Sequence, residues 1–287
     1  MTRKNIFELL SNEYDIKEER NKIVNLFNSK IFSHSNPLNL NQQQGLSIEY
    51  IVDNWLLVNW KQRNGCLSCL EIRKKIKFNN LFSNFSLENT ITILEYISNL
   101  ICLFQKKIIS NNNINFQYNI DKYKILCQNI DLLLEHINYE KHIFDNEEKL
   151  ILVPKNPAAT AVAEISSQET AMAILKYHHA SLKGQLEEKR KILLSIAHEY
   201  ETLLSNGIDG FNDYFSKARE MLNNLDIRHN NKTGKNKKEF VINMNSEELE
   251  KWYDELYQLL LFCVLIRDNK YRKDEISKFL EQTRDAK

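Results

Sequence analysis

Along most of the chain apolar side chains recur every three or four residues, the period of an amphipathic helix. The pattern is clearest in the C-terminal half. Phe211, Phe215, Ala218, Leu222 and Leu225 step by four, three, four and three. They define the buried stripe of a helix over roughly 210–229, with His229 as the next position on that stripe and Arg228 beside it. Two helices precede it. One, over about 158–182, carries Val162, Ile165, Met172, Leu175 and Leu182, with His179 between the last two. The other, over about 185–205, carries Leu186, Leu193, Ala197, Tyr200 and Leu204. Gly184 and Asn206-Gly207 interrupt the pattern and end them. Asn245, with Glu248 three residues on, is an N-cap and capping-box signal. The helix it opens carries Leu249, Trp252, Leu256, Leu259, Cys263 and Ile266, and a last charged helix follows over about 271–284.

The N-terminal half reads the same way with less regularity. Helical patterns cover 1–30, 47–78 (two helices broken near Asn64-Gly65), 86–109 with Ser86 as N-cap, and 119–139. Trp55 and Trp60 are expected to anchor a core. Two short β-prone runs stand out, Lys149–Pro154 and Phe240-Val241-Ile242, and the pattern allows one small ribbon between them. Pro154 and Pro157 mark the strongest boundary, which gives a helical N-terminal domain, 1–153, and a helical C-terminal domain, 154–287. Six glycines and three prolines in 287 residues leave few breakers, so the expected class is all-α.

The net charge of +1 excludes a global basic field of the kind a nucleic-acid-coating protein carries. A local patch remains. Arg228, Lys232, Lys235, Lys237 and Lys238 follow the last apolar position of the third C-terminal helix, with no acidic residue before Glu239. This places an Arg-His pair where a packed core meets a basic stretch, a suitable place to grip phosphate. The plainer reading is that Arg228 and His229 complement the carbonyl end of a helix.

Five cysteines are present. Cys66-x-x-Cys69 could be half a zinc site or a redox pair, but no second pair or His pair at ligand spacing follows and no strand precedes it, so helix packing is the default. His136 and His142 read as surface or capping residues. His178, His179 and His198 join a site only if the fold brings them to Arg228. The start lacks an apolar signal core and no run approaches the roughly 18 residues a membrane span needs, so a reducing cytoplasm and no membrane are expected. No phosphate-binding glycine loop, dinucleotide turn or His-Glu-x-x-His helix occurs, so neither metal nor cofactor is expected.

Three phrases carry a resemblance: 183–193 (Lys-Gly-Gln-Leu-Glu-Glu-Lys-Arg-Lys-Ile-Leu), 225–231 (Leu-Asp-Ile-Arg-His-Asn-Asn) and 252–257 (Trp-Tyr-Asp-Glu-Leu-Tyr). Four helices with an Arg-His-Asn element between the third and fourth resemble the HEPN superfamily, and the last two phrases resemble the C-terminal part of bacterial abortive-infection proteins. The similarity covers roughly 158–267. It implies a four-helix bundle that pairs with a second copy and cuts RNA, such as tRNA, without metal, through attack of the 2′-hydroxyl on its own phosphate. Arg228 would hold the phosphate and His229 would exchange the proton, since imidazoles in general do so near neutral pH. Asn230 and Asn231 would bond phosphate or ribose, and Lys232, Lys235, Lys237 and Lys238 would track the backbone. The chain departs from the family pattern, because the histidine expected a few residues beyond Arg228 is absent from 232–238. That departure keeps a second expectation open: a catalytically inactive RNA-binding or scaffold subunit of a defence complex, acting with a partner protein.

Overall fold

The computed structural model describes residues 14–35, 43–106, 117–118, 120–144, 148–229 and 239–285. The described residues are dominated by helices, with two small sheets. Contacts divide the chain into two compact units, Met1–Leu152 and Val153–Lys287.

In the first unit α1 (Ile16–Asn28) begins at Asp15, whose carboxylate accepts the Lys17 and Glu18 N–H groups. Strands β1 (Phe32–Ser35) and β2 (Gln43–Leu46) pair antiparallel. Helix α2 (Ile48–Ile51) runs on as a π-helix through Leu56. The break expected near Asn64-Gly65 is present: both residues have positive φ, 50° and 77°, a conformation asparagine and glycine tolerate best. Helices α3 (Cys69–Lys75), α4 (Phe78–Ser83) and α5 (Leu87–Phe104) follow, the last capped by Ser86. Strand β3 (Gln117–Tyr118) adds to β1, and α6 (Ile120–His136) follows. Ile23, Phe27, Ile48, Ile91, Leu94, Leu126 and Leu133 share one core. Trp60 is buried there, but Trp55 is 37% exposed and does not anchor it.

The ribbon forms with a different partner from the one the sequence suggested. Strand β5 (Lys149–Pro154) pairs with β4 (Tyr139–Phe144), while Phe240-Val241-Ile242 lies in a helix, α12 (Glu239–Asn243). Local propensity is a weak guide for runs this short, and the near neighbour in sequence took the edge. β5 is further held by α5: the Asn99 side chain accepts the Leu150 N–H (3.0 Å) and donates to the Leu150 carbonyl (2.8 Å).

The second unit opens with α7 (Pro157–Glu164), which has Asn156 as N-cap and proline at its first position. The single helix expected over 158–182 is broken. Ser166 donates to the Val162 carbonyl (2.7 Å) and Ser167 caps a new helix, α8 (Gln168–Lys176). Serine side chains compete for backbone partners and favour such stops. Tyr200 likewise splits the next helix into α9 (Leu186–Glu199) and α10 (Glu201–Asn206). Helix α11 (Asn212–Asn224) precedes α12, and α13 (Ser246–Asp285) is one helix of 40 residues, not two. Asn245 accepts the Glu248 N–H at 2.8 Å, as its capping signal indicated. Helix α13 packs on α7, α9 and α11, and Leu193, Ile196, Phe215, Leu222, Leu256 and Leu260 lie in the common core. Trp252 is 40% exposed. Leu249, Leu256, Cys263 and Ile266 of the expected seam are buried, and Tyr253, Tyr257 and Leu260 join them on the inward face.

Candidate functional site

Helix α11 stops earlier than its stripe suggested. Its last residue is Asn224, and Asp226 adopts φ 62°. The Leu225 N–H donates to the Met221 carbonyl (2.9 Å) and the Arg228 N–H to the Leu222 carbonyl (3.1 Å). The backbone therefore closes the helix end, and the Arg228 guanidinium is left for another partner. The left-handed turn also changes the helical phase. Ile227, fully buried, takes the inward position, and His229 lies exposed outside the core rather than on the buried stripe. A left-handed residue followed by a buried apolar one is a common way to finish a helix.

Two further groups fix this turn. Arg190 of α9 donates through Nε to the Asp226 carbonyl at 2.5 Å. Tyr253 of α13 is buried beside it, and burial, then the Asp226 carboxylate, pushes its hydroxyl up to about 12. Arg190, Asp226 and Tyr253 come one from each of the three phrases that carry the HEPN resemblance, so the fold brings those phrases together. The Arg228 side chain, 20% exposed, pairs with Glu201 at the start of α10. Glu201 was not legible as a site residue, since nothing in the local pattern joins it to a turn 27 positions later. Asn230, Asn231, Lys232, Lys235, Lys237 and Lys238 lie outside the described residues.

The other histidines go elsewhere. His178 is half-buried and meets the Tyr177 and Tyr257 rings edge-on, with centroids 5.1 Å away in each case. His179 is not a core residue: it caps the short turn Ala180–Leu182, accepting the Ser181 N–H. His198 is exposed in the last turn of α9. In the first unit His136 stacks on Tyr14 (3.6 Å) and His142 sits 3.0 Å from Glu140.

The Cys66 and Cys69 side chains are both buried, and burial pushes the Cys69 thiol upward, away from the reactive thiolate a redox pair needs. Among the described residues no group of three or more His, Cys, Asp or Glu side chains could hold a metal ion. The nearby basic residues are tied into the fold: Arg63 donates to the Cys66 carbonyl (2.7 Å), and Arg73 pairs with Glu49 (2.5 Å) and lies over the Phe78 ring.

A second charged cluster was missed. Lys189 is 4% exposed. Its ammonium contacts Asp254 (2.7 Å) and Glu250 (2.9 Å) and sits 4.9 Å from the centre of the Tyr177 ring, which stacks on Tyr257 at 4.0 Å. Glu250 also accepts the Gly184 N–H. The signal was present: Lys189 falls on the inward stripe of α9, opposite a helix with acids four residues apart.

Burial works to raise the Glu250 carboxyl, but the hydrogen bond from Lys189, the Gly184 N–H and the lysine charge outweigh it and hold the group below its ordinary 4.5. Burial lowers the His178 imidazole. Both shifts have the same sign for stability. Each group binds protons more readily unfolded, so its contribution is complete above the unfolded value and is lost as pH falls through the folded one. Denaturant melts from pH 7 downward are therefore expected to show stability falling on acidification, and Glu250→Gln should flatten that acid limb. An unchanged acid limb in the variant would remove Glu250 from the account.

Among the described residues no helix is long and apolar enough to cross a membrane. No family model, no curated protein and no solved structure matches the chain.

Proposed function

We propose that the C-terminal unit acts on RNA as a metal-independent endoribonuclease of the HEPN type in antiphage defence, working as a homodimer in the cytoplasm on structured RNA such as tRNA. The observation that carries this reading is the placement of Arg228. The turn, anchored by buried Ile227 and held by Arg190, places its guanidinium, 20% exposed, beside Glu201. Exposed His229 comes next, and the lysine-rich run 232–238 follows in sequence. In this scheme an RNA phosphate takes the place of the Glu201 carboxylate on Arg228, His229 transfers a proton, Asn230 and Asn231 bond phosphate or ribose, and Lys232, Lys235, Lys237 and Lys238 follow the strand. The N-terminal unit senses a trigger or restrains the site.

A second reading, RNA binding without cleavage inside a defence complex with a partner protein, is favoured by two observations. Arg228 is already neutralised by Glu201, and the sequence lacks the later histidine. Incubation of purified protein with total RNA and tRNA in EDTA separates the two. Arg228→Ala is expected to reduce specific cleavage by roughly 100-fold or more, and His229→Ala by a comparable factor. Both positions lie near the surface, so the variants stay folded. Binding that weakens steeply with salt, without cleavage by any form, selects the second reading. Neither binding nor cleavage rejects both.

A further inference from the structure

The segment from Lys61 to Lys77 in the N-terminal unit departs from the rest of the chain in charge. Six of its seven charged side chains are basic, whereas the whole chain carries a net charge of +1. It also holds apolar groups in water: Leu67 and Leu70 are 81% and 62% exposed. Single exposed leucines are ordinary on a protein surface, but adjoining ones beside a block of cations call for a reason.

Helix α3 arranges them. Cys69 and Ile72 face the core. The opposite side carries Leu67, Leu70, Lys74 and Lys77, which step by three, four and three and are all exposed. One helical face therefore runs from two leucines to two lysines. Lys75 reaches back to the Asn64 carbonyl (3.2 Å), which sets the Asn64 turn, with exposed Lys61 just before it, alongside the same helix. The acids of the region are engaged elsewhere. Glu71 and Asp53 accept the Leu67 and Cys69 N–H groups (2.8 and 2.6 Å), and Glu49 pairs with Arg73.

We propose that this face of α3 docks on the surface of an anionic lipid bilayer, Leu67 and Leu70 entering the headgroup layer while Lys61, Lys74, Lys75 and Lys77 meet lipid phosphates. Charge complementarity selects the anionic partner. The leading side chains favour lipid over RNA, because leucine has no ring on which a base stacks and the flanking rings of Trp60 and Phe78 are buried. A deformable headgroup layer also accepts two protruding leucines without a preformed groove. No helix among the described residues is long and apolar enough to cross a membrane, and a surface contact needs none. The proposal involves the N-terminal unit alone and is independent of the RNA chemistry.

Co-sedimentation of the full chain with vesicles tests it. The probes are vesicles of phosphatidylcholine alone and of phosphatidylcholine with about one third phosphatidylglycerol, at roughly 0.1 M salt. Wild type is expected to pellet with the anionic vesicles, to release as salt rises, and to stay in solution with the neutral ones. K74Q/K77Q should weaken binding by about five-fold for each lysine, and L67S/L70S by roughly ten-fold or more. All four side chains are exposed, so helicity and melting temperature stay unchanged. Anionic-vesicle binding that both variants retain places the contact elsewhere, for instance on the lysine-rich run 232–238, and overturns the proposal. Absence of vesicle binding overturns it too, as does equal binding to both vesicle types. A loss confined to K74Q/K77Q overturns the entry of the leucines. Binding of polyuridylate RNA that K74Q/K77Q weakens and L67S/L70S leaves intact, without vesicle binding, assigns the face to nucleic acid instead.

Discussion

Replacing Lys189 by alanine is expected to destabilise the C-terminal unit by about 2–4 kcal/mol, read as a lower denaturant midpoint with little change in slope. The reason is the environment left behind. Asp254 and Glu250 both point at the ammonium, and Tyr177 covers it. Without the lysine two carboxylates face each other and an aromatic wall with no counter-charge. The effect falls toward the lower part of the range for broken buried pairs because the Asp254 side chain is 39% exposed and can regain water. Pairing the change with its partners separates packing from charge. Lys189→Met together with Glu250→Gln and Asp254→Asn should recover much of the loss, since a neutral, well-filled site often matches a buried ion cluster. A triple variant as unstable as Lys189→Ala would mean that shape, not charge, sets the requirement.

Ile227→Ala is expected to cost about 2–4 kcal/mol as well, through lost burial and the cavity left in the core. Its effect on the proposed site is the more informative part. Ile227 is fully buried and immediately precedes Arg228, so its loss frees the turn that presents the guanidinium. If Arg228 acts on RNA, Ile227→Ala should lower activity measured well below the variant's own melting temperature. Ile227→Val, which leaves a smaller void, should recover most of both stability and activity. A variant that loses stability but keeps full activity would show that the turn's geometry does not matter to the RNA chemistry.

The helical class of the protein was legible because apolar residues at a period near 3.6 have few alternatives to burial, and few glycines or prolines interrupt them. The caps at Ser86 and Asn245 were legible for a related reason: each acts through hydrogen bonds to backbone only three residues away. Breaks within helical patterns were less so. Ser167 and Tyr200 stand at breaks that the apolar spacing runs through, Ser167 as the cap of a new helix and Tyr200 between two, because each break depends on what the side chains meet: Ser167 bonds Glu199, and Tyr200 meets Ser166 at 2.6 Å and lies under Arg267.

At the candidate site the sequence alone determined that a stripe of apolar residues would carry Arg228 to the edge of a core. It could not determine the phase there. One left-handed residue, Asp226, sends Ile227 inward and His229 outward, and the Arg190 side chain from another helix secures that choice. Glu201 beside Arg228, and the Lys189 cluster, exist only because helices far apart in sequence pack side by side. Short-range pattern determines which face of each segment leaves water. Which charges meet where those faces come together is decided only when the whole core closes, because their interaction depends on distance and burial that no single segment contains.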